Sequence, residues 1–547
     1  MSFNNYIHFW ICITCFLGSP AYSSGKPVQI QYCKGEIRQD TLIYKTLSDG
    51  YKLTAIVHYP REWRSTDRRP AFVCSYGSGW NGGKFEADPI NEKHLSRWEP
   101  KCDDLALKGM VCIRYDYRSS QKIETFASKE IAMISDSRSV VRWIRRNAMK
   151  LGVDTNRICG AGGSSGFHIM ASGTILEGGR YDQPGESPDV SPKANVLIGF
   201  TGALCKNAND INGLCPGYSI TPESPPFLGI VGGNDNWRFG VQNYVDKSYK
   251  LHIPSLLKSA PGQGHDFHVG IFGRGTPAWY DSTMRWAQNF LFSIGHMNLT
   301  VECRPGDKIE LNALSKYIRD YCSLVDTMEN CEEILYTYTG KGGKVSMYGV
   351  FTSSGLPGLY KVKAYSANYP HIYRTAIVRV PVLLTVNAAA SIKDLSGFYG
   401  IYVRIKNSSG EDAEISVRNS AKNKQIILPI KSLKQGFYYI GAFPFDKKSL
   451  TGIYVSGQGK DNIDSIMLIP AYPGIWKEEI TQVTANPKQY KHIKSLLFQH
   501  DKVDVYSPAG KKLNPNFLKN RYHKKKRYRG VIIIRNRLNG KVRLIFQ

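Results

Sequence analysis

The stretch Arg157-Ile158-Cys159-Gly160-Ala161-Gly162-Gly163-Ser164-Ser165-Gly166-Phe167-His168-Ile169-Met170-Ala171 decides how this chain is read. Its first five residues form an apolar, strand-like run, and its last five are helix-like. Between them, Gly162-Gly163-Ser164-Ser165-Gly166 matches G-x-S-x-G, a sharp strand-to-helix turn that raises a serine hydroxyl above a sheet. Side chains at the flanking positions of so tight a turn would clash with neighbouring strands and helix, which is why glycines stand there. Ser164 is therefore the candidate nucleophile. Ser165 is the candidate donor of a backbone N–H to a developing oxyanion.

Moving outward, Pro70–Cys74, Gly109–Tyr115, Ala194–Phe200 and Phe227–Val231 are further buried-type strands. Between Ile131 and Ala148, apolar residues at 134, 140, 141, 144 and 148 recur at helical spacing. Asp154 and Asn156 mark a turn before the strand that leads to Ser164. Alternating strands and helices imply an α/β architecture, a mostly parallel sheet covered on both faces. Such sheets bind ligands at the C-terminal ends of their strands.

A serine hydroxyl needs a base, and in this fold order the nucleophile, the acid and the histidine follow one another along the chain. His265 in Gly262-Gln263-Gly264-His265-Asp266-Phe267-His268 follows the strand-like runs and is the candidate base, with His268 its rival. Asp235 closes Gly232-Gly233-Asn234-Asp235, directly after the strand at Phe227, and is the candidate acid. Its role would be to hold the imidazole in the correct tautomer. Asp246 is the weaker choice because it lies further along, in an expected helix. The second oxyanion donor is expected in Tyr76-Gly77-Ser78-Gly79-Trp80-Asn81-Gly82-Gly83, from the backbone of Gly77, Ser78 or Gly79. Asp116 and Arg118 are expected to be a structural pair. No metal or organic cofactor is implied by these residues.

The 547 residues exceed the size of about 250–300 at which single cores stop growing, so several domains are expected. The formal net charge of +27 would suit nucleic acid, an acidic glycan or an anionic surface. It includes a dense run, His523-Lys524-Lys525-Lys526-Arg527, read first as a solvated segment. No nucleic-acid module accompanies it, so nucleic acid is not an expected partner. An apolar stretch from Tyr6 to Leu17, followed by Ala21-Tyr22-Ser23, reads as a signal peptide over residues 1–23. That run is too short to span a bilayer comfortably, and no later run is longer, so no membrane span is expected. Secretion permits disulfides. Cys205 with Cys215 and Cys322 with Cys331 are candidate pairs. Cys74, Cys112 and Cys159 sit in strand-like runs as expected buried thiols.

After residue 299 short alternating runs and glycine turns replace the alternating strand and helix signals. Gly358-Leu359-Tyr360-Lys361-Val362-Lys363-Ala364 and Gly400-Ile401-Tyr402-Val403-Arg404-Ile405-Lys406 are examples, and they read as β-sandwich modules.

Residues 40–295 resemble the secreted esterase branch of the α/β-hydrolases, acetylxylan and feruloyl esterases among them. The resemblance is carried by Gly77–Trp80, Gly109–Arg118, Leu151–Arg157 and the G-x-S-x-G turn. The sequence departs from the family's glycine run in the oxyanion loop, which Tyr76 and Ser78 interrupt. Gly343–Thr352 with Gly358–Ala364 is similar to bacterial immunoglobulin-like repeats. Gly400–Lys406, Gly436–Gly441 and Asp461–Leu468 resemble a jelly-roll carbohydrate-binding module. Val505–Lys512 with Gly530–Ile534 resembles a type IX sorting domain.

These resemblances imply an order of domains: an α/β-hydrolase domain over 24–298, an immunoglobulin-like module over 299–385 and a jelly-roll module over 386–472. A linker over 473–499 and a basic β-rich domain over 500–547 follow. The implied activity is removal of acetyl, before feruloyl, groups from plant or algal polysaccharide outside the cell. The C-terminal domains would contact glycan or an acidic cell surface. Two readings compete with this one. The first is a serine peptidase of the prolyl oligopeptidase kind. The second is a glycan-binding adhesion protein with an inactive hydrolase domain.

Overall fold

The computed structural model describes residues 37–472, except 78, 80–96, 119–125, 183–188, 205–213, 269–276, 326–330, 340–341, 386–389, 393–396, 408–410, 419–422, 429, 431–432, 434 and 446–450. It also describes the strands at 30–31, 503–506, 512–513, 531–536 and 542–546. The expected signal peptide, the 473–499 linker and the basic run at 523–527 lie outside the described residues, as does Ser78. The chain divides into two units, Met1–Gly474 and Ile475–Gln547.

The first unit opens with an eight-stranded sheet. Its strands are β1 (Arg38–Thr46), β2 (Lys52–Tyr59), β3 (Arg69–Ser75), β4 (Val111–Tyr115), β5 (Val153–Gly163), β6 (Val196–Gly202), β7 (Phe227–Gly232) and β8 (Ser255–Ala260). Their order is β1-β2-β4-β3-β5-β6-β7-β8. β1 pairs with β2, and β2 with β4, antiparallel, while every pair from β4 to β8 is parallel. This is the α/β-hydrolase fold. β3, β4, β6 and β7 are buried along their whole length. That explains why they appear in the sequence as continuous apolar runs rather than alternating ones. β1 and β8 are edge strands with partly exposed patterns.

Helices α1 (Glu99–Leu107), α2 (Phe126–Arg146), α3 (Ser164–Ile175), α4 (Arg238–Lys250) and α5 (Pro277–Ser293) cover this sheet. α2 carries the expected stripe, with Ile134, Val140, Val141 and Ile144 all fully buried. α3 is buried from Ser165 to Ile175, with small or apolar residues at most of its positions. Arg118 pairs with Asp136 of α2 at 2.9 Å, not with Asp116 as the sequence reading had it. Asp136 also accepts Lys45 Nζ at 2.9 Å, so one buried carboxylate ties β1, α2 and the segment after β4 together.

Two β-rich modules follow in the same unit. The first holds two sheets. One, in the order β9-β15-β14-β11, contains β9 (Leu299–Glu302), β11 (Ile334–Thr339), β14 (Gly358–Ser366) and β15 (Tyr373–Val380). The other, in the order β10-β13-β12, contains β10 (Lys308–Glu310), β12 (Gly343–Val345) and β13 (Val350–Ser353). It also holds a helix, α6 (Asn312–Leu324), in a region where the sequence reading saw helix signals fade. Leu314, Ile318 and Cys322 are its buried residues. Their four-residue spacing is a helical signal, and it is short enough to pass for strand alternation. Cys322 and Cys331 form the expected disulfide. Cys215 is disulfide-bonded, while Cys205 lies outside the described residues.

The second module packs two sheets around one core. One contains the strand Ile30–Gln31, β16 (Val382–Thr385), β18 (Gly397–Ile405), β21 (Gly436–Phe445) and β23 (Ile463–Pro470). The other contains β17 (Ala390–Ile392), β19 (Ala413–Arg418), β20 (Asn423–Leu428) and β22 (Thr451–Ser456). β16 pairs with β23, so Val382–Thr385 belongs to this module and the change of module falls at Pro381 rather than after residue 385. The second unit is a four-stranded antiparallel sheet in the order β25-β24-β26-β27, made of β24 (Val503–Tyr506), β25 (Lys512–Leu513), β26 (Val531–Asn536) and β27 (Val542–Phe546).

One carboxylate joins the hydrolase domain to both modules. Glu62, just after β2, has a side chain only 2% exposed and lies 2.5 Å from Arg379 Nη1 on β15. Tyr402 on β18 donates its hydroxyl to the other Glu62 oxygen at 3.0 Å. Arg379 also pairs with Glu302 on β9 at 3.0 Å. Glu62 sits at φ +57°, a strained conformation for a side-chain-bearing residue. A buried ion pair of this kind adds little net stability, but breaking it leaves an uncompensated charge. Glu62→Ala is expected to lower unfolding stability by about 3 kcal/mol or more. A urea titration followed by tryptophan fluorescence would read this, and an unchanged midpoint would contradict it.

Candidate active site

The G-x-S-x-G turn sits where β5 ends and α3 begins, at the C-terminal end of a central parallel strand. Ser164 has φ +49°. That left-handed conformation costs a side-chain-bearing residue on the order of 1–3 kcal/mol and persists because its surroundings over-determine it. The surroundings are specific. A Cβ at Gly162 would lie 2.5 Å from the Phe167 nitrogen, and one at Gly166 would lie 2.2 Å from the Tyr76 carbonyl oxygen. Ser75 Oγ donates to the Gly166 carbonyl at 2.7 Å, pulling the first turn of α3 onto the end of β3. The Ser164 carbonyl accepts the Ala203 N–H at 3.0 Å, and Ser164 forms a parallel bridge with Gly202. Because α3 begins at Ser164, the positive end of the helix dipole lies at that hydroxyl.

Gly77, in the expected oxyanion loop, lies against the serine turn. A Cβ there would lie 2.6 Å from both the Ser164 Cβ and the Gly163 carbonyl oxygen. Only a glycine lets the backbone approach the serine side chain this closely. Gly79 follows with φ +64°. Ser165 is fully buried at the start of α3, one residue beyond the candidate nucleophile.

Asp235 and His265 come from the loops after β7 and β8. Backbone hydrogen bonds lace these loops together, from Gly233 N–H to Ala260 O at 2.7 Å and from Asn234 N–H to Gln263 O at 2.8 Å. Gly232 permits this, since a Cβ on it would stand 2.3 Å from the Gln263 oxygen. His265 Nδ1 donates to Asp235 Oδ2 at 2.9 Å. The other carboxylate oxygen accepts the Trp237 N–H at 3.0 Å, which fixes its orientation. The Asp235 side chain is 1% exposed and that of His265 is 31% exposed, so the acid is sealed and the imidazole reaches the surface. Burial alone would lower the pKa of His265. The hydrogen bond and charge of Asp235, with the charge of Asp266, outweigh it, and the net shift is upward from the ordinary 6.5.

The rival residues have other partners. His268 is buried beside Trp98 and Phe200. Burial and the charge of Lys101 push its pKa well down, so it is neutral. Asp246 accepts a hydrogen bond from Gln242 one helical turn away on α4. Sequence reasoning missed Lys101, whose Nζ donates to the His268 carbonyl at 2.8 Å from the buried side of α1.

Comparison with known proteins gives matches to part of this chain. The BD-FAE family matches residues 57–183, which include Gly77 and Ser164 and end before Asp235. Carboxylesterase NlhH of Mycobacterium tuberculosis is 31% identical over 136 residues, covering 25% of this chain and 36% of that protein. The chain thus spans about a third of the length of the curated relatives it matches. Esterase 2 of Thermogutta terrifontis phosphorylated by paraoxon is 27% identical, covers 47% of this chain and 95% of its own, and has a TM-score of 0.42. Its propionate-bound form is 26% identical over the same shares, with the same TM-score.

The glycines give two contrasting expectations. Gly166→Ala should destabilise by several kcal/mol, because no flexible side chain can yield to the new methyl; about 3 kcal/mol is the scale of such overpacking. Gly264→Ala, next to His265 but with nothing within 4 Å of its new methyl, should change stability by less than about 0.5 kcal/mol. Thermal melting of both variants checks the pair. Equal melting temperatures would contradict the steric account of the turn.

Proposed function

We propose that this chain is a secreted serine esterase that removes acyl groups, acetyl before feruloyl, from plant or algal polysaccharide. The observation that carries the esterase part is the 2.9 Å pairing of Asp235 with His265 on two laced loops, in one sheet with the strained Ser164 turn. The match to the BD-FAE family and to a carboxylesterase supports it. The polysaccharide part is supported by the two β-rich modules that Glu62 ties to the hydrolase domain.

In this mechanism His265 Nε2 takes the proton of Ser164 Oγ as the oxygen attacks the ester carbonyl. The carbonyl oxygen becomes an oxyanion held by the backbone N–H groups of Ser165 and of the Gly77–Gly79 segment. The C–O bond to the sugar breaks, and the sugar oxygen leaves with the proton from His265. Water then attacks the acyl-serine, again losing a proton to His265, and releases the acid and free Ser164. Asp235 stabilises the imidazolium formed in each half.

The deciding experiment measures acetate from acetylated xylan and ferulate from feruloylated arabinoxylan, with wild type beside Ser164→Ala. Release that falls by roughly 10⁴-fold or more in the variant is expected. No release from either substrate by folded wild type contradicts the reading and favours a peptidase or an adhesion role.

The base must be neutral to accept a proton. Because Asp235 raises the His265 pKa, kcat/KM on a soluble ester should fall as the pH drops through an inflection above 6.5. Asp235→Asn removes the group that raises it, so both the rate and the inflection should fall. An inflection that stays in place in Asp235→Asn would contradict the pairing's role.

A further inference from the structure

Lys101 lies on α1 and is 1% exposed. Its Nζ donates to the backbone carbonyl of His268 at 2.8 Å. The rings of Tyr280, Trp98 and Phe200 stand 4.7, 5.5 and 5.7 Å away, centroid to ammonium. Among the described residues no carboxylate lies within ion-pair distance of it. Asp104, its near acidic neighbour on the same helix, accepts the Tyr280 hydroxyl at 2.7 Å instead. Burial lowers the lysine pKa to about 8, against the opposing pull of Asp104.

An ammonium in such a place is expensive. Desolvation is offset by one carbonyl and by ring faces, with no counter-charge in contact. For stability alone, an unbranched apolar side chain of similar length would serve better. What the lysine gains is a grip on one loop. His265 and His268 belong to the same short run of chain, and that run is held at two points. Asp235 holds His265 at 2.9 Å, and Lys101 holds the His268 carbonyl at 2.8 Å. The His268 ring itself is wedged against the serine turn: its Cε1 lies 3.6 Å from where a Cβ on Gly163 would stand.

We propose that Lys101 is a positioning residue, which fixes the loop carrying His265 at the expense of stability. This rests on the esterase reading above. A base displaced by about 1 Å loses on the order of 10²-fold in rate. The effect should therefore fall on kcat, because Lys101 is buried and presents no surface of its own to a substrate.

The test compares wild type with Lys101→Met on p-nitrophenyl acetate, together with amide hydrogen exchange and thermal melting of both. Expected are a kcat lower by about 10–100-fold, a KM within about twofold, faster exchange in the peptide 261–268 and a melting temperature equal to or above wild type. A purely structural lysine would instead lower the melting temperature and leave the kcat of the folded protein alone. Lys101→Arg, which keeps a charged donor, should be faster than Lys101→Met. An active wild type matched by Lys101→Met in both kcat and exchange overturns this role alone. So does failure of both Lys101→Met and Lys101→Leu to fold, since apolar replacements should not reduce stability. A folded wild type that hydrolyses no ester overturns the esterase reading and this role together.

Discussion

The rest of this structure depends on how closely three backbones approach one another at the turn around Ser164. The end of β3 lies so near the first turn of α3 that position 166 has no room for a methyl group, and the segment after β3 presses on the Ser164 side chain at Gly77. These approaches hold Ser164 at a positive φ, with its carbonyl tied to Ala203. Strain at a single residue is tolerable when the surrounding sheet is buried on both faces and cannot relax toward it. The same closeness puts a helix N-terminus and a glycine backbone on either side of one hydroxyl. Negative charge developing there in the proposed reaction would meet fixed dipoles, which need no reorganisation.

Much of this was legible in the sequence, because the buried parallel strands write themselves as apolar runs. The five strand-like runs from Pro70 to Val231 all fall in the one sheet. The edge strands β1 and β8 were not legible: most of their residues are exposed or only partly buried, and neither reads as a continuous apolar run. Asp235 and His265 could be picked out because each follows a glycine-rich turn, and chain order limits where an acid and a histidine can stand. Their 2.9 Å contact belongs to the folded loops and to no local pattern.

What the sequence hid was the buried charge. Lys101 and Glu62 look like ordinary surface residues of a helix and a turn, and nothing in their neighbourhood marks either as sealed. Tertiary packing alone makes them costly and therefore informative. The mistaken partner of Arg118 has the same origin. Asp116 is two residues away in the chain, but Asp136 is the carboxylate that α2 brings to it. Cys102 is likewise buried with its sulfur 3.6 Å from that of Cys74, through packing between α1 and β3.

The central claim is that Ser164 is a nucleophile activated by His265. Intact and peptide mass spectrometry after brief exposure to paraoxon tests it most directly. The account predicts one diethylphosphoryl group, located on Ser164, with labelling lost in His265→Ala while that variant remains folded. Label on another residue, no label on folded wild type, or undiminished labelling of the His265 variant would contradict it.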